Sequence, residues 1–357
     1  MANRHNRQAK RRLLLMAAAL AVVLAGLVTW IPRRHVQLYK VTVLPSLGGT
    51  FTRPEAINDR GQIAGIADVA GGTHLFLWDR ENGMQDLGPG SGIDINNAGQ
   101  IAGTTTDPNG NSQAFMWDPK DCKQMLGTLG GISSIASKLN DRGRVVGTLH
   151  LFVPRPRGIP RRIRQAFIWD KTNGMRKLFP NEQWESIASA INNAGQVIGF
   201  TVGINSRQGR TQCFWESTDP AAAHVPPLQS PIDYSGGSDL NNNSYVLGKG
   251  YNWDKDEEWT FLWRKETGFE GIEYLFPLEH LVGPLVFNDA NQVLYGEKHI
   301  SSLERFSKTY FPSYTQYCLW DPKRGKIILD DQIPKEMGKL VQVIAINNRG
   351  CIIGVIQ

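Results

Sequence analysis

The chain has 357 residues, with 39 Lys and Arg against 33 Asp and Glu and a formal net charge of +6. Residues 1–34 hold seven of the positive charges and no acid; setting those seven aside leaves the body at −1, so net charge gives no argument for nucleic-acid binding. Cys122, Cys213, Cys318 and Cys351 lie far apart in sequence, which points away from a disulfide framework or a zinc knuckle, and no metal or cofactor is expected.

The N-terminus comes first in chain order. Arg4, Arg7, Lys10, Arg11 and Arg12 precede an uncharged stretch from Leu13 to Ile31. Nineteen residues at about 1.5 Å each reach roughly the thickness of a bilayer core. More positive charge precedes the stretch than follows it at Arg33 and Arg34, which keeps the N-terminus in the cytoplasm and sends the body across. The reading is a basic tail over 1–12, a transmembrane helix over 13–31 with Trp30 at its exit, a linker over 32–37 and an extracytoplasmic body over 38–357. The protein is thus read as single-pass, with its body in the periplasm or at the cell surface. A cleaved signal peptide is the rival, since Val23-Leu24-Ala25 precedes Gly26; apolar sequence continuing to Ile31 favours an uncleaved anchor.

In the body one phrase returns seven times: apolar residue, Asn, usually Asn or Asp, any residue, usually Gly, often Gln, two mostly apolar residues, Gly. Examples are Ile57–Gly65, Ile95–Gly103 and Ile191–Gly199, and its Asn recurs at 58, 96, 140, 192, 241, 288 and 347. A period near 48 residues suits a propeller of about four short strands per unit. Each phrase reads as a hairpin: Asn bonds back to the backbone, and Gly in the fourth turn position accepts positive φ. Asn291 replaces that Gly in the sixth phrase and tolerates the same conformation. Ser244 in the fifth fits less well, marking that unit as the irregular one.

A second signature follows six of the seven hairpins, as in Phe76-Leu77-Trp78-Asp79, Phe115-Met116-Trp117-Asp118 and Phe167-Ile168-Trp169-Asp170. Phe and Trp two apart share a strand face and pack between sheets. Cys213 and Cys318, in the strands leading to Trp, read as small buried apolar residues. Turns such as Glu81-Asn82-Gly83 then lead to an outer strand. Together with Leu47-Gly48-Gly49 and Leu126-Gly127-Thr128-Leu129-Gly130-Gly131, these motifs resemble the HAF repeat family, named for its His-Ala-Phe triplet, over essentially everything after residue 38. The resemblance implies an extracytoplasmic, propeller-like protein and brings no family-wide catalytic residue; the literal His survives at His74, with Gln at that place in most other units.

Seven hairpins against six Trp strands leave the last unit short, while Leu38–Pro45 reads as an outer strand with no unit before it. The fold class expected is therefore all-β, a β-propeller of seven blades whose last blade joins N- and C-terminal strands, with six blades or an open stack as alternatives. The Asn hairpins and the turns after Trp should emerge on one face, and the variable connections on the other, where repeat proteins bind. Three insertions carry candidate binding residues. Arg155, Arg157, Arg161, Arg162 and Arg164, stiffened by Pro154, Pro156 and Pro160, form a basic loop suited to phosphate, carboxylate or an acidic partner. Asp254 and Asp256, with Glu257 and Glu258, suit a cation or a basic partner, and Tyr310 and Tyr314 belong to an aromatic run suited to sugar stacking or protein docking. Each of these also reads as a plain solvated or packed segment. Asp107–Asn111 is an Asn-Gly turn rather than a calcium loop.

No linear catalytic motif is present, so no catalytic residue is assigned. The functional reading is a membrane-anchored scaffold that binds a protein or a cell-envelope glycan, with no nucleic acid. A polysaccharide hydrolase or lyase, with acids converging at the channel mouth, and a structural spacer are the alternatives.

Overall fold

The computed structural model describes residues 39–154, 159–179, 184–203, 211–216, 234–252, 257–271, 281–299 and 314–357. Residues Val41–Gln357 form one compact unit, built of antiparallel sheets with no α-helix among the described residues. Consecutive strands pair throughout. Sheet one holds β1 (Thr52–Ile57), β2 (Ile63–Val69), β3 (Gly72–Asp79) and β4 (Gly83–Pro89); sheet two holds β5 (Ser91–Ile95), β6 (Ile101–Thr106), β7 (Ser112–Asp118) and β8 (Cys122–Met125). Sheet three holds β9 (Ser133–Leu139), β10 (Val145–Val153), β11 (Arg161–Asp170) and β12 (Gly174–Lys177); sheet four has three strands, β13 (Trp184–Ile191), β14 (Val197–Gly203) and β15 (Thr211–Trp215). Sheet five comprises β16 (Tyr234–Leu240), β17 (Val246–Asn252), β18 (Glu257–Arg264) and β19 (Gly268–Gly271), and sheet six β20 (Leu281–Phe287), β21 (Val293–His299), β22 (Tyr314–Asp321) and β23 (Gly325–Ile328). The last sheet is a pair, β24 (Leu340–Ile346) and β25 (Ile352–Ile356).

These are six propeller blades of three or four strands and a two-stranded seventh sheet, which corrects the expectation of seven blades with the last joined from both chain ends and agrees with the six-blade alternative. Of Leu38–Pro45, expected as the outer strand of the last blade, the described residues Tyr39–Pro45 carry no strand. The reason lies in the pairing: an outer strand such as β4, β8 or β23 ladders only onto a third, Trp-bearing strand, and the last sheet has none. No helix among the described residues is long and apolar enough to cross a membrane; the anchor expected over 13–31 lies outside those residues.

The sheets are closed into a ring by the Asn phrases. Asn58 accepts the backbone N–H groups of Arg60 and Gln62 on its Oδ1 at 3.0 and 2.9 Å, which shapes its own turn. Its Nδ2 donates to the carbonyl of Asn96 in the next sheet at 2.9 Å. The same inter-sheet bond runs from Asn96 to Asn140, then to Asn192, Asn241, Asn288 and Asn347, and finally from Asn347 back to Asn58 at 2.8 Å. A second ring lies beside it: the N–H of Asp59 donates to Asn97 Oδ1, and the pattern repeats until the N–H of Asn348 donates to Asp59 Oδ1 at 2.8 Å. Buried Asn is tolerable here because its donors and acceptors are engaged.

The fourth turn residue has positive φ in all seven hairpins, including Ser244 at 65° and Asn291 at 57°. The fifth hairpin is thus regular, against expectation; Ser244 keeps the turn bond to Asn241 and donates its hydroxyl to Gln196 at 2.7 Å. Between sheets, Phe and Trp share clusters as their spacing implies, Phe115 with Trp117 and Phe167 with Trp169. Cys213 and Cys318 are buried, and burial pushes their thiols up to about 11 and about 12.

Candidate functional site

Consecutive antiparallel strands put the Asn hairpins and the turns after Trp on one face; Gln100 of a hairpin reaches Asp118 of such a turn at 2.7 Å. The connections between second and third strands emerge on the opposite face. There the longest strands, β10 and β11, rise beyond their sheet as a hairpin. The described ends of the basic insertion expected as a loop are therefore largely strand, because the apolar alternation Leu149, Leu151, Ile163 keeps one face of the hairpin packed against sheet two. His150, Phe152, Arg162 and Arg164 alternate onto the other face, paired as His150 with Arg164 and Phe152 with Arg162.

That second face turns toward sheet four. Arg164 binds Glu185 at 2.8 Å, and Arg161 approaches the same carboxylate at 3.9 Å. Two of the five candidate arginines are thus tied down by an acid that sequence reasoning had not singled out. Arg162 is exposed, while Arg155 and Arg157 lie outside the described residues. At the tip, Phe152 is 58% and Ile159 85% exposed. His150 meets the Ser133 hydroxyl at 2.8 Å through Nδ1, and burial, helped by Arg162 and Arg164, holds the imidazole below its usual range. Ser133 is only 5% exposed and Glu185 is engaged by arginine, so the pair lacks both an accessible hydroxyl and an orienting acid.

Charged side chains also converge at the axis. Each innermost strand has a register irregularity just before its Asn phrase, and the residues that follow line a pocket of about 220 Å³. The charged ones on the strands are Glu55, Asp94, Lys138 and Asp239, and the hairpins add Asp59, Asp141 and Asp289. Lys138 lies 3.7 Å from Asp94, which raises its ammonium pKa, and Asp94 also accepts the N–H of Leu139 at 2.9 Å. Glu55 is paired with Arg53 at 3.1 Å. Asp239 accepts the N–H of Leu240, and burial pushes its carboxyl up despite Lys138. The sequence signal for this set is faint: three of its members stand two residues before Asn, where other phrases carry Ala or Val.

Of the remaining candidates, Asp254, Asp256 and Tyr310 lie outside the described residues. Tyr314 opens β22, is 51% exposed and sits under Lys339, whose Nζ is 5.8 Å from the ring centroid. Asp107–Asn111 is a turn in which Asp107 accepts the N–H of Asn109 and of Asn111. All four thiols are free, and no group of three His, Cys, Asp or Glu among the described residues is placed to hold a metal ion.

No family model matches the sequence, and no curated protein matches it. Among solved structures, TolB from Acinetobacter baumannii is similar at 11% identity with a TM-score of 0.45, over 74% of this chain and 62% of that one. A post-proline cleaving enzyme from Rickettsia typhi is similar at 14% identity and a TM-score of 0.44, over 77% and 41%. Pyrococcus horikoshii acylaminoacyl peptidase is similar at 11% and 0.38, over 78% and 52%. The chain spans less than two thirds of the length of each.

Proposed function

We propose that this chain is a propeller scaffold of the HAF repeat type, anchored to a membrane by residues 13–31, that holds a protein or a cell-envelope glycan on the face opposite its Asn hairpins. The observation that carries this reading is the β10–β11 hairpin, which raises Phe152 and Ile159 into solvent beside Arg162. Two large apolar side chains kept exposed on a strand-stiffened arm gain by being covered, and aromatic and arginine anchors are what binding hot spots use. The ring bonds keep the sheets from moving apart, so the arm is presented on a rigid base. Full-length protein in detergent should capture a specific envelope component that a Phe152→Ala, Ile159→Ser variant does not. Equal capture by both variants removes the hairpin from binding, and capture of nothing leaves a structural spacer.

A second reading has one observation in its favour. Asp94 and Asp239 face a common axial pocket, and the raised Asp239 carboxyl has the protonation bias of a general acid in glycan cleavage. Under this reading Asp239→Asn abolishes polysaccharide turnover; an unchanged rate excludes it.

A further inference from the structure

The innermost strand of every sheet turns one edge toward the axis. The first residue of each Asn phrase lies opposite the residue after the hairpin, as Ile57 with Ile63, Ile95 with Ile101, Ile191 with Val197 and Ile346 with Ile352. The Asn that follows donates its N–H across the same hairpin, Asn58 to Gln62 and Asn347 to Cys351. Alternation along an antiparallel pair then turns the N–H of the first residue away from its own sheet and toward the axis. On three of the seven strands an acid collects it: Asp94 accepts the N–H of Leu139 at 2.9 Å, and Asp239 accepts those of Leu240, at 3.0 Å, and of Phe287. The N–H groups of Ile57, Ile95, Ile191 and Ile346 meet no acceptor among the described residues. In the preceding sheet the place of Asp94 is held for them by Ala345, Ala56, Lys138 and Val286 respectively, none of which can accept.

Three of these donors, on Ile346, Ile57 and Ile95, belong to consecutive sheets, the seventh, first and second, and form one arc of the pocket wall. Ile95 and Ile346 are buried, and a buried N–H calls for an acceptor. Sheet five stands across the ring from that arc, three steps from sheet one by way of sheets six and seven and three from sheet two by way of four and three. There Asp239 faces the pocket with N–H groups on its carboxylate and no ion pair; Lys138 acts on it only from further off, and burial pushes its carboxyl up. A carboxylate so placed calls for a cation. Lys138 lies 3.7 Å from Asp94, longer than the roughly 2.7–3.2 Å of an N–H···O bond, so it offsets that charge while keeping donors to spare. Glu55 is answered by Arg53, and Asp59, Asp141 and Asp289 are engaged by the second ring. A cavity of about 150 Å³ holds benzene, so about 220 Å³ holds about nine non-hydrogen atoms.

We propose that the axial pocket binds a small zwitterion of the free amino acid class. Its ammonium pairs with Asp239, its carboxylate accepts from the N–H groups of Ile57, Ile95 and Ile346, and its apolar part lies against Ala56, Ala345 and Val286, which line the same pocket. A cation alone leaves the arc of donors without an acceptor, and an anion alone meets the acids of the pocket with nothing for Asp239. A few placed polar groups on an otherwise small apolar wall are what fix a ligand of this size. No bond is cleaved, so the site is independent both of the β10–β11 hairpin and of glycan turnover.

The test uses full-length protein in detergent and three labelled probes in equilibrium dialysis: L-leucine, leucinamide, which keeps only the ammonium, and 4-methylpentanoate, which keeps only the carboxylate. Saturable binding of L-leucine is expected, about tenfold or more tighter than that of either analogue. L-leucine should also slow amide exchange at Ile57 and Ile95 and leave Leu139, already bonded to Asp94, unchanged. Asp239→Asn, which keeps an oxygen for the two N–H groups, should weaken L-leucine by about tenfold and leave 4-methylpentanoate as it was. The Phe152→Ala, Ile159→Ser variant should bind L-leucine as the unaltered chain does, so failure here and failure of the hairpin reading are separable. No saturable binding of L-leucine, equal binding of L-leucine and leucinamide, or unchanged exchange at Ile57 and Ile95 at saturating L-leucine overturns the proposal. The exchange measurement on the unaltered chain does so even if Asp239→Asn misfolds.

Discussion

A single Asn in each phrase serves its own turn and the neighbouring sheet at once. Asn140 accepts the N–H groups of Arg142 and Arg144 and donates to the Asn192 carbonyl at 3.0 Å, all at a buried position. Asn140→Ala leaves two donors and an acceptor without partners, and with about 1 kcal/mol or more for each such group it should cost about 3 kcal/mol of unfolding free energy by denaturant titration. A cost under about 1 kcal/mol would mean that water replaces the side chain. The glycines of the phrase separate in the same experiment. Gly61 has φ of 80° with nothing near an added Cβ, so Gly61→Ala should cost only the left-handed penalty of about 1–2 kcal/mol. The local half of these roles was legible in the sequence, because a turn is set by residues four apart. The donation to the next sheet was not, because the two asparagines it joins are 38 to 59 residues apart, and 289 apart where the ring closes, and nothing local marks them as neighbours.

Strands two and three meet through the second glycine and the Phe ring. In the second blade a Cβ on Gly103 would stand 2.3 Å from the Ser91 carbonyl oxygen and 2.4 Å from the Phe115 ring. Gly103→Ala must therefore displace backbone or a fully buried ring, and it should destabilise clearly more than Gly61→Ala, by about 3 kcal/mol. Similar costs for the two would show that the sheets part easily. The Phe-x-Trp spacing revealed this packing because period two needs no tertiary knowledge. It did not reveal that β10 and β11 carry the arginine-rich insertion as strand. Arginine and proline in the insertion read as a loop, whereas Leu149, Leu151 and Ile163, buried against the next sheet, extend the ladder into it as far as Val153 and Arg161. The outer strand expected from Leu38–Pro45 failed for the converse reason: its composition suits a strand, but the sheet offers it no third strand to pair with.

Across the whole molecule, charge and closure set the stability profile. Hydrogen bonds from Asn82 hold Asp79 below the usual carboxylate range, and a hydrogen bond from Gln100 does the same for Asp118. Groups with depressed folded values stabilise the protein above their unfolded pKa of about 3.9, and that stability is lost as pH falls through the folded values. Asp239, raised by burial, acts in the opposite sense, favouring the fold while protonated and losing that contribution as pH rises through its folded value. The midpoint of thermal unfolding should therefore fall as pH drops below about 4, and Asp118→Asn should flatten part of that slope. An unchanged slope would show that the turn bonds are absent in solution.

Closure is what makes the body a scaffold rather than a stack, and it rests on bonds between the first hairpin and the last, Asn347 to Asn58 and Asn348 to Asp59. The most direct measurement is amide hydrogen exchange at the second ring. The N–H of Asn348 lies at an exposed position yet donates to Asp59 Oδ1 at 2.8 Å. It should exchange as slowly as its counterparts at Asn97, Asp141 and Asn193, and Asp59→Ala should speed it without affecting Asp141. Fast exchange at Asn348 in the unaltered protein, with the other positions protected, would mean that the ends do not meet and that the sheets form an open arc.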